Sequence, residues 1–176
     1  MKNWSFKKWN TLLGWVVFVI AFFTYLSTME RNFSFWDTGE YISSAVKLEV
    51  THAPGAALFQ LIGAVAAVFA FGNGENYSIV INSMSALFSA FTILFLFWTI
   101  THLVRRLLHK DFNDITRHQE ISILFAGVIG ALCFTFSDTF WFSAVEGEVY
   151  SMASMFIALL LWLITKWENE YLESDN

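Results

Sequence analysis

Long apolar runs alternate with short polar segments along this chain of 176 residues. Four runs contain no Asp, Glu, Lys or Arg, at residues 11–29, 76–104, 121–137 and 149–165. In a helix that rises about 1.5 Å per residue, each run reaches or approaches the length that crosses roughly 30 Å of hydrocarbon. We therefore predict four membrane-spanning helices, at about residues 11–29, 78–104, 121–138 and 150–166.

A fifth apolar stretch, residues 56–72, is short and is interrupted by Gln60 and Gly63. If it spans the membrane, three Lys and Arg residues lie inside and seven outside; if it does not, eight lie inside and two outside. Membrane proteins carry their excess of Lys and Arg in cytoplasmic loops. We therefore predict that residues 30–77 form one long outer loop and that both termini lie in the cytoplasm, with the inner (plasma) membrane as the location.

The long outer loop contains two helical patterns. From Tyr41 to Leu48, apolar residues recur at a spacing of three to four, which predicts an amphipathic helix along the membrane surface. Pro54 suits the first turn of a second helix, which the glycines at 72 and 74 would end. With a second outer loop at 138–149, the pattern predicts an all-α fold: a polytopic helical bundle in the membrane, interpreted as a single module over residues 1–176.

The composition supports a membrane protein, since 56% of the residues are hydrophobic and only 14% are charged. Lysines ahead of the first apolar run, without a cleavage site after it, indicate an uncleaved signal anchor. The lone Cys133 falls inside a predicted span, which excludes a disulfide framework. Eight acidic residues against two basic ones on the predicted outer side exclude a nucleic-acid partner.

Several carboxylates gather at the predicted outer boundary of the membrane: Asp37, Glu40, Asp138, Glu146 and Glu148. The predicted spans contain no ionisable acid or base except His102, which disfavours a small proton-coupled transporter and favours chemistry at the outer surface. Two plainer interpretations stay open. Asp37 and Glu40 form a D-x-x-E pattern that suits a helix capping box, and Glu146 and Glu148 could be solvated loop acids.

His52 lies at the same boundary, and a histidine with several carboxylates can ligate a divalent ion. The spacing matches no metal motif, so no residue is assigned as a metal ligand, and a polar anchor at a helix start is the commoner role. Trp36 offers a ring that could stack on a sugar or an isoprenoid, although an interfacial aromatic belt is the commoner role.

Four motifs in this order carry a family resemblance: "FWDTGEY", "HAPGAALFQLIGAVAAVF", "RRL" and "WFSAVEGEVYSM". Together with the signal anchor, they resemble the N-terminal region of C-class (GT-C) membrane glycosyltransferases. More closely, they are similar to a bacterial multi-pass family related to protein O-mannosyltransferases. The resemblance covers nearly all of residues 10–165.

The resemblance implies a sugar donor on a polyprenyl phosphate and transfer at the outer face of the membrane. It gives Asp37 the role of catalytic base, with Glu40 as its neighbour in the motif, and it implies that Glu146 and Glu148 shape the site or bind the acceptor. His52 belongs to a His-Pro-Pro-Gly-like element in which Ala53 replaces the first proline, and its role stays open.

A departing lipid phosphate calls for positive charge. Arg31 and Lys47 are the only predicted outer cations, so one of them or His52 binds the phosphate, unless that site lies in sequence not present here. Members of the superfamily have more than four spans, so the chain resembles an N-terminal portion of a larger enzyme or a shortened relative. The leading hypothesis is an inverting glycosyltransferase acting on a hydroxyl of a protein or glycan. A non-catalytic subunit that binds a lipid-linked glycan or a partner protein is the alternative.

Overall fold

The computed structural model describes residues 5–32, 36–108 and 115–174, and over these residues the fold is all-α. In chain order the helices of the described residues are α1 (Phe6–Thr28), α2 (Thr38–Lys47), α3 (Ala57–Ala67), α4 (Asn76–Leu108), α5 (Arg117–Thr135), α6 (Asp138–Ala144) and α7 (Val149–Ser174). A 3-10 turn, Val68–Ala70, extends α3.

Four of the helices in the described residues are long and apolar enough to cross a membrane, namely α1, α4, α5 and the part Val149–Glu168 of α7. The predicted bundle of four spanning helices is therefore confirmed. The helices run past the uncharged segments and take in residues such as Lys7 and Arg105. Long basic side chains permit this, because their stems cover apolar surface while the charge reaches the interface.

The central helix of the bundle is α4, which contacts α1, α5 and α7. Small side chains such as Ala86, Ser89 and Ala90 are fully buried along it, which lets neighbouring helices approach closely. At Gly127 of α5 the approach is so close that an added Cβ would lie 2.5 Å from Thr101 Cγ2. The helices around α4, namely α1, α5 and α7, expose large apolar side chains, as expected of lipid-facing surfaces.

Both helices predicted in the segment after α1 are present, and α2 and α3 pack against each other and against α4. An added Cβ on Gly63 would lie 2.9 Å from Ala45 Cβ, so these two helices cross at very short range. The prediction that Pro54 starts the second helix is wrong. Gly55 has a left-handed backbone with φ 79°, which interrupts a helix there, and α3 begins only at Ala57.

The segment predicted as a second outer loop contains a short helix, α6, that the sequence pattern did not indicate. Backbone hydrogen bonding joins this segment to the one after α1, since Glu30 N–H donates to Val145 O at 3.2 Å. Asn82 of α4 donates from Nδ2 to Glu30 O at 2.6 Å. We call this end of the bundle the α2 end, and the end at which α1 begins and α4 ends the opposite end.

Candidate active site

Asp37 occupies the N-cap position of α2, yet its side chain makes no capping hydrogen bond. Its carboxylate is 57% exposed. Glu40 does not reach back to the start of the helix either, so the capping-box interpretation of the D-x-x-E pattern is wrong. The first turn of α2 is held by backbone hydrogen bonds, such as the one that Tyr41 N–H donates to Asp37 O at 2.9 Å. The Asp37 carboxylate is therefore not used to hold the helix.

Glu40 instead binds His52 through both of its oxygens. Oε1 accepts the backbone N–H of His52 at 2.7 Å, and Oε2 lies 2.9 Å from ring Nδ1. The other ring nitrogen, Nε2, lies 3.8 Å from Asp37 Oδ2. The imidazole of His52 is thus held between the two carboxylates of the motif. These contacts fix its position and leave its role open.

The pKa values of this pair shift in opposite directions. The backbone N–H of His52, and then its ring, hold the pKa of the Glu40 carboxyl below its ordinary value. The hydrogen bond to Glu40, and then the negative charge of Glu40, raise the pKa of the His52 imidazole; loss of solvent opposes this, and the charge of Asp37 adds a smaller increase. Both shifts favour a charged pair, an imidazolium beside a carboxylate.

The second acidic motif reaches the same place from the far end of the sequence. Glu146 and Glu148 are 5% and 8% exposed, so the interpretation of both as solvated loop acids is wrong. Thr38, the first residue of α2, donates its hydroxyl to Glu148 Oε1 at 3.2 Å. Burial raises the pKa of the Glu148 carboxyl, and the nearby charges of Glu146 and Asp37 raise it further.

Gly147 makes this convergence sterically feasible. A Cβ on this residue would lie 2.8 Å from Asn82 Oδ1 and 3.0 Å from Ile81 Cγ2, so the backbone between the two glutamates lies directly on α4. No signal in the linear sequence distinguishes this glycine from a loop glycine.

Tyr41 is a site residue that the sequence reasoning missed, because it counted the residue only as part of the apolar face of α2. Its ring packs against His52 and Phe59, with centroids 6.2 and 5.6 Å away. Burial, and then the charges of Asp37 and Glu148, raise the pKa of the Tyr41 phenol. The phenol therefore lies within electrostatic range of acids from both segments.

Three of the predicted site residues are not brought to this cluster by any described contact. Lys47 ends α2, about 15 Å along the helix from Asp37 at 1.5 Å per residue. Arg31 lines a separate cavity of about 550 Å³ with Glu75 and Asn76. Trp36 neighbours Asp37 but is 83% exposed, on a left-handed backbone with φ 61°.

A divalent ion fits the donor atoms at the start of α2. Asp37, Glu40 and His52 each offer one ligand atom, and these atoms lie within 4.8 Å of one another. Carboxylate oxygens with an imidazole nitrogen form a donor set that several divalent metals accept. Binding an ion here would replace at least one of the contacts of the His52 ring.

Comparison with known proteins gives matches at the level of sequence. Residues 37–176 match the family model described as "Protein O-mannosyl-transferase TMEM260 N-terminal domain". The chain is 27% identical over 148 residues to "Protein O-mannosyl-transferase tmem260" of Dictyostelium discoideum, which covers 84% of this chain and 16% of that protein. It is 30% identical over 151 residues to "Protein O-mannosyl-transferase TMEM260" of Mus musculus, covering 85% and 18%.

No solved structure matches the chain. The chain spans less than a fifth of the length of the two curated relatives named above.

Proposed function

Because the chain belongs to the TMEM260 N-terminal domain family of protein O-mannosyl-transferases, we propose that it supplies the base-bearing region of a GT-C glycosyltransferase. The donor is a sugar on a polyprenyl phosphate, and the acceptor is a hydroxyl at the outer face of the membrane. The names of the relatives favour mannose as the sugar and a protein as the acceptor. A non-catalytic subunit that binds a lipid-linked glycan remains the alternative.

The observation that supports this proposal most strongly is that the Asp37 carboxylate is exposed and makes no capping hydrogen bond to α2. In the proposed reaction, Asp37 takes the proton of the acceptor hydroxyl while that oxygen bonds to the anomeric carbon of the sugar. The bond from that carbon to the phosphate oxygen breaks, and the polyprenyl phosphate leaves with its electron pair. Attack from the face opposite the phosphate inverts the anomeric centre. A positioned base of this kind contributes about 10²–10⁴ in rate.

Glu40 acts in this proposal through His52 and not on the substrate. Its carboxylate fixes the ring so that Nε2 points toward Asp37, with a separation of 3.8 Å. Of the three cations considered for the phosphate, His52 is the one with a described contact to Asp37, whereas Arg31 lines another cavity and Lys47 ends α2. His52 is therefore the first candidate among the three for the phosphate, and no role is assigned to Arg31 and Lys47.

Glu146, Glu148 and Trp36 complete the proposed site in different ways. Glu148 anchors α2 through Thr38, and Glu146 lies two residues away, so this segment shapes the wall of the site. Trp36 presents its exposed ring next to Asp37, where it can stack on a sugar face. A divalent ion held by Asp37, Glu40 and His52 is an alternative source of positive charge, and it predicts loss of transfer in EDTA and recovery with added metal.

A substitution of Asp37 tests the proposal in membranes that contain the full-length protein. Asp37→Asn keeps the size and polarity of the side chain but removes the base, so we expect transfer to fall about 10²–10⁴-fold. Thermal stability should change little, because the carboxylate makes no capping bond. Asp138→Asn, at an exposed acid in the first turn of α6, is the matched control. Transfer by Asp37→Asn at the rate of the control would rule out Asp37 as the base.

A further inference from the structure

A second cavity lies at the opposite end of the bundle, far from the acidic cluster. It measures about 410 Å³ and is lined by side chains from α1, α4 and α7. Three of these side chains are cationic, Lys7, Arg105 and Lys166, one from each helix. Among the described residues that line the cavity there is no Asp or Glu.

One acid close to the cavity, Glu168, contacts two side chains of α4. Glu168 of α7 binds Arg106 through Oε1, and its Oε2 lies 3.5 Å from His102 Nε2. The carboxylate of Glu168 is therefore shared by two residues of α4, of which His102 lines the cavity, whereas Glu168 itself does not. The side chains that line the cavity thus carry an excess of positive charge, to which Lys7 and Lys166 contribute most directly because Arg105 has other contacts as well.

Aromatic rings hold two of the cations. Lys166 Nζ lies 5.1 Å from the ring centroid of Trp162, and Arg105 Cζ lies 5.0 Å from that of Phe6. Trp162 in turn packs on Trp98, with centroids 5.2 Å apart. Contacts of this kind restrict long side chains, so less conformational entropy is lost when they bind an anion.

The cavity also contains an unsatisfied polar group. The side-chain Oδ1 of Asn10 is buried and has no hydrogen-bond partner among the described residues. Buried polar atoms normally have partners, so this one points to a ligand with a hydroxyl or amine donor, or to the opposite amide orientation donating to an anion.

Basic and aromatic residues are common at the ends of membrane helices, where they meet the lipid head groups. Here three helices contribute one cation each to a single cavity without a lining acid, which resembles a binding site more than a general belt.

We propose that this cavity binds the phosphate group of an anionic ligand. Lysine and arginine are common phosphate ligands, and an anionic phospholipid meets this part of a membrane helix bundle at high local concentration. The phosphate can belong to such a lipid head group or to a free phosphate. The site does not depend on the function proposed for the α2 end.

Binding to the purified full-length protein in detergent tests this proposal. The ligands are short-chain phosphatidylglycerol, inorganic phosphate and, as a phosphate-free control, short-chain diacylglycerol. We expect the double variant Lys7→Ala/Lys166→Ala to bind phosphatidylglycerol at least tenfold more weakly than the wild type. Arg117→Ala, which removes a cation of α5 at the same end but outside the cavity, should bind like the wild type.

The ligands and variants separate the outcomes. Binding of phosphatidylglycerol but not inorganic phosphate assigns the site to a lipid, and binding of both assigns it to phosphate itself. Equal binding by the double variant and Arg117→Ala, or equal binding of diacylglycerol, overturns the proposal. If the double variant does not fold, the salt dependence of wild-type binding decides: affinity should fall as NaCl rises, and an affinity independent of salt contradicts the site.

Discussion

At the scale of single residues, the central feature is that two neighbouring acids, Asp37 and Glu40, make different contacts. Asp37 and Glu40 are three positions apart, so they share a helix face and appear equivalent in the sequence. The structure separates them, because both oxygens of Glu40 bind His52 whereas the Asp37 carboxylate is 57% exposed. A base must be accessible to its substrate, and of the two Asp37 is the more exposed and the less tightly bound, since its contact with His52 Nε2 at 3.8 Å is too long for a hydrogen bond.

The pairing of Glu40 with His52 predicts a measurable titration shift. In Glu40→Gln the neutral amide can still accept the backbone N–H of His52, but the charge that favours the imidazolium is gone. We expect the pKa of His52, followed by NMR with labelled histidine, to be above its ordinary value in the wild type and to fall in Glu40→Gln. The control Glu49→Gln removes an exposed acid just beyond α2 and should leave the titration unchanged. An identical titration in wild type and Glu40→Gln would exclude the charged pair.

The same pair sets a pH window for local stability. The contribution of Glu40, whose pKa is lowered, is fully present above its ordinary value of 4.5 and is lost as pH falls through the folded value. The contribution of His52, whose pKa is raised, is fully present below 6.5 and is lost as pH rises through the folded value. After correction for intrinsic exchange, the His52 amide should therefore be best protected between about pH 4.5 and 6.5. Protection that increases steadily above that window would contradict the pairing.

At the scale of elements, the site depends on the contact between α2 and the segment that joins α6 to α7. Thr38 and Glu148 meet across 110 positions of sequence, and Glu30 bonds to Val145 beside them. The segment between α1 and α4 supplies Asp37, Glu40 and His52, and the segment between α6 and α7 contacts it through Glu148 and Val145, so the second segment helps to hold these residues in place. The two acidic motifs are thus one structural unit.

Gly147 gives a direct test of that unit. In Gly147→Ala the new methyl group meets Asn82 Oδ1 at 2.8 Å and Ile81 Cγ2 at 3.0 Å, so the segment must move away from α4. We expect a loss of about 1–3 kcal/mol in stability, seen as a lower melting temperature, together with reduced transfer. Gly74→Ala is the matched control, since nothing lies within 4 Å of its added Cβ. Equal melting temperatures for the two variants would mean that the segment does not pack on α4 as described.

At the scale of the whole molecule, the two ends of the bundle differ in charge. The α2 end carries the acids of both motifs, and the opposite end carries the cationic cavity. The predicted orientation, which rests on the excess of Lys and Arg in the cytoplasm, would put the cationic cavity on the cytoplasmic side. It would place the acidic cluster at the outer face, where a lipid-linked sugar and its acceptor are proposed to meet.

Labelling of single cysteines tests the orientation. In a Cys133→Ser background, Trp36→Cys and Leu107→Cys place thiols at the two ends, at residues that are 83% and 85% exposed. A membrane-impermeant maleimide should label position 36 in intact cells and position 107 only after permeabilisation. The reverse pattern would put the acidic cluster on the cytoplasmic side.

The sequence predicts those parts of the fold that depend on local periodicity and long apolar runs. The four spanning helices and the amphipathic α2 are of this kind. The short α6 has only seven residues, too few to show a period, and Gly55 rather than Pro54 determines where α3 can begin. Local patterns contain no information about such tertiary limits.

The sequence indicated several members of the acidic cluster, although it also included Arg31 and Lys47 and missed Tyr41, and it indicated none of the contacts. The clustering of acids near the membrane boundary identified Asp37 and Glu148, and a family resemblance suggested their roles. The hydrogen bond that the His52 backbone N–H donates to Glu40 depends on the path of the chain between α2 and α3. The contact of Thr38 with Glu148 depends on how distant helices pack. For the same reason, the packing of Tyr41 on His52 has no signature in the sequence.

Chemical rescue of Asp37→Ala is the measurement that tests the role of this residue most directly. Removing the carboxylate leaves space beside His52 that formate, a small base, can enter. We expect transfer by Asp37→Ala in full-length protein to be nearly abolished and to rise with formate concentration. Transfer by Glu40→Ala, which has lost the hydrogen bonds that position His52, should not be restored by formate. Transfer by Asp37→Ala at the wild-type rate without formate, or rescue of Glu40→Ala alone, would contradict the assignment of Asp37 as the base.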